Sequence, residues 1–341
     1  MTSMRGQRMF TIGRAVITGS AAVMTVMVIG ACHSGHVQSA LHPAGPGAVE
    51  IARLWWGMFV LLTAVFLGTM ALMFTAILVK GRAAGGPPLG DTRFIVVSGI
   101  VMPAAVLVAM LLISLRATVA LETPESDVTI HITGHQWWWQ VEYPEHGITT
   151  ANELYIPSGE PVQVVLRSAD VVHSFWVPSL TGKMDMIPER TNRFWIQADV
   201  DGEFRGQCAE YCGIQHARMA FWVIAVPRPR YEQWLERRRG IVVEPETELQ
   251  REGRDVFFSE KAGCHACHAI QSTDAVADIG PDLTDLGSRR SLGAGTLANT
   301  PQMLRRWTED PQLFKPGNLM PATDIPESDM DALMEYLDIL D

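Results

Sequence analysis

Two long charge-free apolar runs constrain this chain more than any other feature. Trp55–Val79 (WWGMFVLLTAVFLGTMALMFTAILV) and Phe94–Leu115 (FIVVSGIVMPAAVLVAMLLISL) contain no Asp, Glu, Lys or Arg. Each supplies about the 20 apolar residues that a helix needs to cross a hydrocarbon core. Trp55 and Trp56 stand where an interfacial aromatic anchor belongs. The connector sets Lys80, Arg82 and Arg93 against Asp91. That positive excess puts the connector on the cytoplasmic side and everything flanking the hairpin on the opposite side.

The N-terminus carries Arg5, Arg8 and Arg14, an apolar stretch from Ala21 to Ile29, and then Gly30-Ala31-Cys32. A basic segment, a short apolar segment and small residues at a cleavage point read as an export signal. Cys32 after Ile-Gly-Ala resembles a bacterial lipobox, which implies a lipid anchor on that cysteine; a retained third membrane helix is the alternative. Beyond Arg116 the pattern turns to short alternating segments, Val128–Ile132, Pro161–Leu166, Arg193–Val200 and Met219–Val226, separated by turn signals. These are expected to be strands of a β-sandwich or barrel. Arg228–Arg239 reads as a charged helix, Glu248–Phe258 as another, and Glu327–Leu340 as a closing amphipathic helix with Met330, Leu333, Leu337 and Leu340 on one side.

From Glu244 to Asp341 there are 19 acidic against 8 basic residues. An acidic terminal domain disfavours nucleic acid and suits a basic protein partner. The cysteines concentrate in two motifs. Cys208, Cys212, His216 and Met219 follow a Cys-x3-Cys-x3-His-x2-Met spacing. Sulfur ligands mixed with imidazole select a copper ion that alternates between two oxidation states, and two cysteines can bridge a pair of coppers. One segment cannot surround two metals, so a further ligand is expected from His173 in Asp170–Trp176. Cys264-His265-Ala266-Cys267-His268 is a c-type haem attachment signal. His268 is the expected proximal ligand, and Met320, in the Gly/Pro-rich stretch Lys315–Ala322, the expected sixth ligand. Met/His ligation raises the haem potential, which suits delivery of electrons to copper.

On the hairpin, Gly134–Trp139, the His173 segment, Lys183–Arg190 and Cys208–Met219, the chain resembles subunit II of the haem-copper cytochrome c oxidases. Its last hundred or so residues resemble class I cytochromes c, and the combination is that of the caa-type oxidases. The resemblance implies a membrane protein with a two-helix transmembrane hairpin, an all-β cupredoxin-like Greek-key sandwich and an all-α class I cytochrome c domain. It implies a binuclear CuA centre held by His173, Cys208, the Glu210 carbonyl, Cys212, His216 and Met219. The Glu210 carboxylate would reach a Mg²⁺ at the boundary with the catalytic subunit. Electrons would enter the copper pair at Trp137, for which a purely structural aromatic belt is the alternative. Pro281 would orient His268 through its carbonyl, and Trp307 would pack at the haem edge.

The expected organisation is a lipoprotein-type signal at 1–31, an external segment at 32–50 and the hairpin at 51–120. The CuA domain follows at 121–230, a helix and linker at 231–248, and the cytochrome c domain at 249–341. The implied role is subunit II of a respiratory terminal oxidase in the bacterial inner membrane, with both soluble domains outside. It would take electrons at haem c, pass them to CuA and on to subunit I, where O2 is reduced to water with proton translocation. Subunit III, a donor cytochrome or upstream complex, and membrane lipid are the further partners. A stand-alone tethered electron carrier is the competing class; a second span is superfluous for a mere anchor. One departure stands out: many relatives carry a glutamate early in the second span, whereas Phe94-Ile95-Val96-Val97-Ser98 has no carboxylate.

Overall fold

The computed structural model describes residues 37–79, 91–121 and 124–341. The export signal, Cys32 and the connector charges Lys80 and Arg82 lie outside the described residues.

The first apolar run lies within helix α1 (Pro46–Val79). The second begins as α2 (Asp91–Val96), widens through a π turn at Val97–Val101 and continues as α3 (Met102–Ala120). Pro103 accounts for the widening: it has no amide hydrogen, and its ring clashes with the carbonyl four residues back. The Met102 amide reaches back to the Val97 carbonyl instead. Leu62, Leu67, Leu107 and Leu111 are all more than half exposed along these helices. Contiguous apolar surface of that extent suits a membrane or an apolar partner.

The sandwich consists of two five-stranded sheets. One has the order β3-β2-β1-β5-β8 and the other β4-β10-β9-β6-β7. In the first sheet β1 is Thr129–His135, β2 Trp138–Tyr143, β3 Ile148–Ala151, β5 Val162–Ser168 and β8 Asn192–Ile196. In the second β4 is Glu153–Pro157, β6 His173–Trp176, β7 Met184–Met186, β9 Gly202–Cys208 and β10 Ala220–Val226. Parallel pairing of β1 with β5 and of β10 with β4, within otherwise antiparallel sheets, gives the mixed connectivity of a cupredoxin-like fold. Strict alternation in β1 and β2 sends Ile130, Ile132, Trp139 and Val141 into the core. There Trp139, Phe175 and Phe221 pack ring to ring. The stretch before α1 and the first turn of α1 are tied to the sandwich: Ala44 donates to the Ser179 carbonyl at 2.7 Å and Ala48 to that of Leu180 at 3.0 Å.

Helix α4 (Arg228–Arg239) closes the sandwich, and Ile241–Glu246 leads into the last domain. That domain contains α5 (Glu248–Phe258), α6 (Pro301–Glu309) and α7 (Glu327–Asp338), with a two-stranded ribbon of β11 (Ser291–Leu292) and β12 (Leu297–Ala298). Thr247 starts α5 with a capping box, its hydroxyl accepting from Gln250. Gly253 lets α5 cross close to Ala332 and Tyr336 of α7, where a Cβ would strike backbone. Met330, Leu333, Leu337 and Leu340 all face this core.

Candidate metal and haem sites

The segment Cys208–Met219 joins β9 to β10, the central strands of one sheet. Antiparallel pairing of β6 with β9 sets Phe175 opposite Cys208, and so brings His173 beside the loop. The two sulfurs Cys208 Sγ and Cys212 Sγ lie 3.7 Å apart. Around them sit His173 Nδ1 at 3.9 Å from Cys208 and the Glu210 carbonyl at 3.2 Å from Cys208. His216 Nδ1 lies 3.6 Å and Met219 Sδ 3.8 Å from Cys212. His173, Cys208 and Cys212 are all buried.

Asp170, which the sequence did not single out, fixes the orientation of His173. Its carboxylate accepts from His173 Nε2 at 2.8 Å and from the Gln136 amide at 2.6 Å. With Nε2 so engaged, Nδ1 is the nitrogen left to face the sulfurs. Burial alone would lower the His173 pKa, but the Asp170 bond and the neighbouring Cys208 raise it overall. The hydrogen bond from Cys212 draws Cys208 down to about 3, while Cys212 is pushed up. The pair therefore shares one proton, and a cation bound between two sulfurs takes the place of such a proton. Two sulfurs, two imidazoles, a thioether and a carbonyl within this space fit copper.

The C-terminal domain holds a cavity lined by Cys264, Cys267, His268, Met320, Trp307 and Pro281. His268 Nδ1 meets the Pro281 carbonyl at 2.7 Å. A carbonyl only accepts, so Nδ1 carries the hydrogen and Nε2 is left with its lone pair. Burial lowers the His268 pKa, keeping the ring neutral as a metal ligand must be. Gly280 makes room for the ring: a Cβ there would stand 2.7 Å from His268 Cε1. Burial also pushes Cys264 up to about 11, so this sulfur is held as a thiol. The paired cysteines, the oriented imidazole and the facing thioether fit a covalently attached haem with Met/His ligation.

The haem cavity is not confined to its own domain, for Trp137 and Trp138 also line it. Trp137 is only 7% exposed, so the terminal domain covers this indole rather than leaving it at the surface. Its Nε1 donates to the Cys212 carbonyl at 2.9 Å, and Gln136 Nε2 donates to the same oxygen at 2.7 Å. Trp137 therefore touches the sulfur-rich loop on one side and the cavity on the other.

Further contacts, invisible in the sequence, bind the domains together. Asp285 accepts from Thr150 at 2.8 Å and from Arg289 at 2.5 Å, and lies 3.6 Å from Arg238 of α4. Glu153 accepts from the Arg290 amide at 2.7 Å, and Gln215 donates to the Pro316 carbonyl at 2.7 Å. Arg218 donates to the Phe314 carbonyl. Elsewhere, Glu210 turns its carboxylate outward, where Lys183 pairs with it at 3.2 Å and Asp185 lies 3.8 Å from the same ammonium.

Comparison with known proteins assigns both soluble parts. The family described as "Cytochrome C oxidase subunit II, periplasmic domain" matches residues 146–226, and cytochrome c matches residues 250–341. The cytochrome c oxidase subunit 2 of Alkalihalophilus pseudofirmus is 38% identical over 312 residues, covering 88% of this chain and 90% of the relative. That of a Bacillus species is 36% identical over 225 residues, 62% of each chain. The crystal structure of the periplasmic domain of cytochrome oxidase subunit II from Bradyrhizobium japonicum aligns with 34% of this chain and 96% of that one. It does so at 32% identity and a TM-score of 0.34.

Proposed function

This chain belongs to the cytochrome c oxidase subunit II family, and on that premise we propose that it receives electrons at a covalent haem c and passes them by a binuclear CuA centre to subunit I. There O2 is reduced to water, coupled to proton translocation. The family makes the chain part of a terminal oxidase, an oxidoreductase, and its two apolar helices and periplasmic-type domain suit an inner membrane.

The finer assignments are part of the proposal. Cys208, Cys212, His173, His216, Met219 and the Glu210 carbonyl would hold the copper pair. Cys264 and Cys267 would attach the haem, with His268 and Met320 as axial ligands and Pro281 orienting His268. When bound, these groups supply reversible one-electron exchange. The chain's own residues do the rest. The buried Cys208, Cys212, Met219 and His173 exclude water, which keeps rearrangement around a changing charge small. Asp170 holds His173 in one orientation, and the Pro281 carbonyl does the same for His268.

Support for the route comes above all from one residue: the Trp137 indole bonds the Cys212 carbonyl and lines the cavity that contains His268 and Met320. In this reading Trp137 receives the electron from the chain's own cytochrome c domain. External donors meet the acidic surface of that domain instead, which favours a basic donor cytochrome. Cys32 is read as the lipid-bearing residue after signal cleavage, with the hairpin, CuA and cytochrome c domains following along the chain. The Glu210 carboxylate is read as a Mg²⁺ ligand completed at the boundary with subunit I, with subunit III also present.

Metal analysis of the purified protein, combined with optical and paramagnetic spectra, tests the whole. A copper pair sharing one unpaired electron, one covalent haem and co-purification with a haem-a-containing subunit are expected. A single copper, or Cys208 and Cys212 oxidised to each other, would overturn the proposal.

A further inference from the structure

The least expected residue at the domain boundary is Lys315. It is 3% exposed and belongs to the cytochrome c domain, yet its ammonium donates to the Trp137 carbonyl of the sandwich at 2.7 Å. It also donates to the Gly293 carbonyl of its own domain at 2.9 Å. A lysine ammonium has three N–H donors, so two carbonyls leave one donor over. Burying a cation is costly unless an anion accompanies it. No ion pair to Lys315 occurs among the described residues: its two hydrogen bonds both go to main-chain carbonyls. Burial accordingly drags the Lys315 pKa down to about 7. Among the described residues the buried ammonium has no counter-anion, and it lines the same cavity as His268 and Met320.

A haem carries two carboxylate side chains into whatever cavity holds it. Arg289, the other cation lining the cavity, already spends its guanidinium on Asp285 and the Asp282 carbonyl. We propose that Lys315 is the counter-ion for a haem carboxylate and ties that carboxylate, through one ammonium, to the main chain of Trp137. Lys315 is then a positioning residue. It fixes the haem against the indole that touches the copper loop, so both the spacing and the relative potentials of the two centres depend on it. This rests on the proposed haem attachment, and it adds a polar bridge between the domains that the attachment motif does not supply.

The test uses the assembled oxidase. Covalent haem staining and copper content come first, because an absent haem would refute the functional proposal itself. With haem present, Lys315→Met is expected to shift the carboxylate-bending vibration of the haem in resonance Raman spectra. Loss of the cation disfavours the reduced haem, so the electron equilibrium should move toward copper by roughly tenfold, as expected for one buried unit charge. Lys315→Arg should restore both. An unchanged vibration in a Lys315→Met variant that retains haem and copper would overturn the bridge and leave the functional proposal standing. Should Lys315→Met fail to assemble, the unsubstituted protein decides. With ¹⁵N on the lysine side chains and ¹³C on the haem carboxylates, solid-state NMR should detect a direct nitrogen–carbon coupling. With only this chain carrying the ¹⁵N label, the candidate lysines are Lys80, Lys183, Lys261 and Lys315, and the first two precede the cytochrome c domain. Coupling that persists in Lys261→Arg supports Lys315, and no coupling overturns it.

Discussion

The copper loop and the haem cavity solve the same problem, holding a redox metal away from water, with opposite distributions of residues. In the copper region five of the six contacting groups come from the Cys208–Met219 loop or its flanking strand ends, and only His173 arrives from elsewhere, through strand pairing. In the haem region Cys264, Cys267 and His268 fall in one short run, but Pro281, Trp307 and Met320 are gathered from across the domain. Cysteine chemistry follows the same division. Cys208 is driven toward thiolate by its neighbour, as a metal ligand requires, whereas burial holds Cys264 as a thiol. A sulfur that becomes a thioether never needs a stable charge, so an apolar wall does it no harm.

The largest effect that can separate the two regions is expected from Cys212→Ser. Removing one of a bridging pair of sulfurs should abolish the binuclear copper signal, while the haem absorption stays at its parent intensity. A copper spectrum surviving this change would mean that the two sulfurs do not act as a pair.

Next in size is the seam between the regions. Asp285 is buried with Arg289, Arg238 and Thr150 around it, and burial alone would raise its pKa. The two guanidiniums hold it below the ordinary carboxylate range instead. Asp285→Ala leaves both guanidiniums buried without their anion, which costs about 3–5 kcal/mol. The expected result is a lower melting temperature for the haem domain, with copper content unaltered. A depressed carboxylate stabilises the fold above its unfolded pKa and stops doing so as pH falls through the folded value. The parent protein should therefore lose this contribution only on acidification below about pH 4. Melting that is indifferent to Asp285→Ala would refute a load on this seam.

How much of this could be seen in the sequence depended on how local each feature is. The spacing of Cys208, Cys212, His216 and Met219, and the Cys-x2-Cys-His run, are local, because one loop or one turn brings those atoms together. Both membrane helices were likewise legible from uninterrupted apolar runs, although the π turn at Val97–Val101 needed the backbone around Pro103. The partners Asp170, Asp285 and Lys315 were not legible. Asp285 and Lys315 act on residues far off in the chain, Lys315 on one 178 positions away; Asp170 is only three residues from His173, but an acid there, like a lone acid or lysine elsewhere, fits any solvated surface. The resemblance implies electron entry at Trp137, and the cover over that indole comes from a domain whose docking no local pattern encodes.

The opposite pH response is expected at Glu153, on the same seam. Burial pushes its carboxyl up to about 7 despite the Arg290 amide and nearby arginines. The folded chain thus holds this proton more tightly than the unfolded one. Stability from it is fully present below about pH 4.3 and falls as pH rises toward 7, by roughly 3–4 kcal/mol in all. Glu153→Gln keeps an oxygen to accept from Arg290 and has no charge to bury. It should match the parent at pH 4 and melt at higher temperature at pH 8. Equal melting at pH 8 would mean that Glu153 ionises freely in the folded protein.

The smallest expected effects offer the sharpest comparison, because each imidazole is seated against a glycine. A Cβ at Gly134 would stand 2.9 Å from His173 Cδ2, and one at Gly280 would stand 2.7 Å from His268 Cε1. Neither glycine has a left-handed backbone, so alanine strains the neighbouring ring and not the chain itself. Overpacking of this kind costs about 1–3 kcal/mol, with the closer contact at Gly280 giving the larger share. Gly280→Ala is expected to perturb the haem spectrum and leave copper alone; Gly134→Ala should do the reverse, more weakly. If either substitution altered both spectra, strain would be passing through Trp137, and the two sites would have to be treated as one mechanical unit.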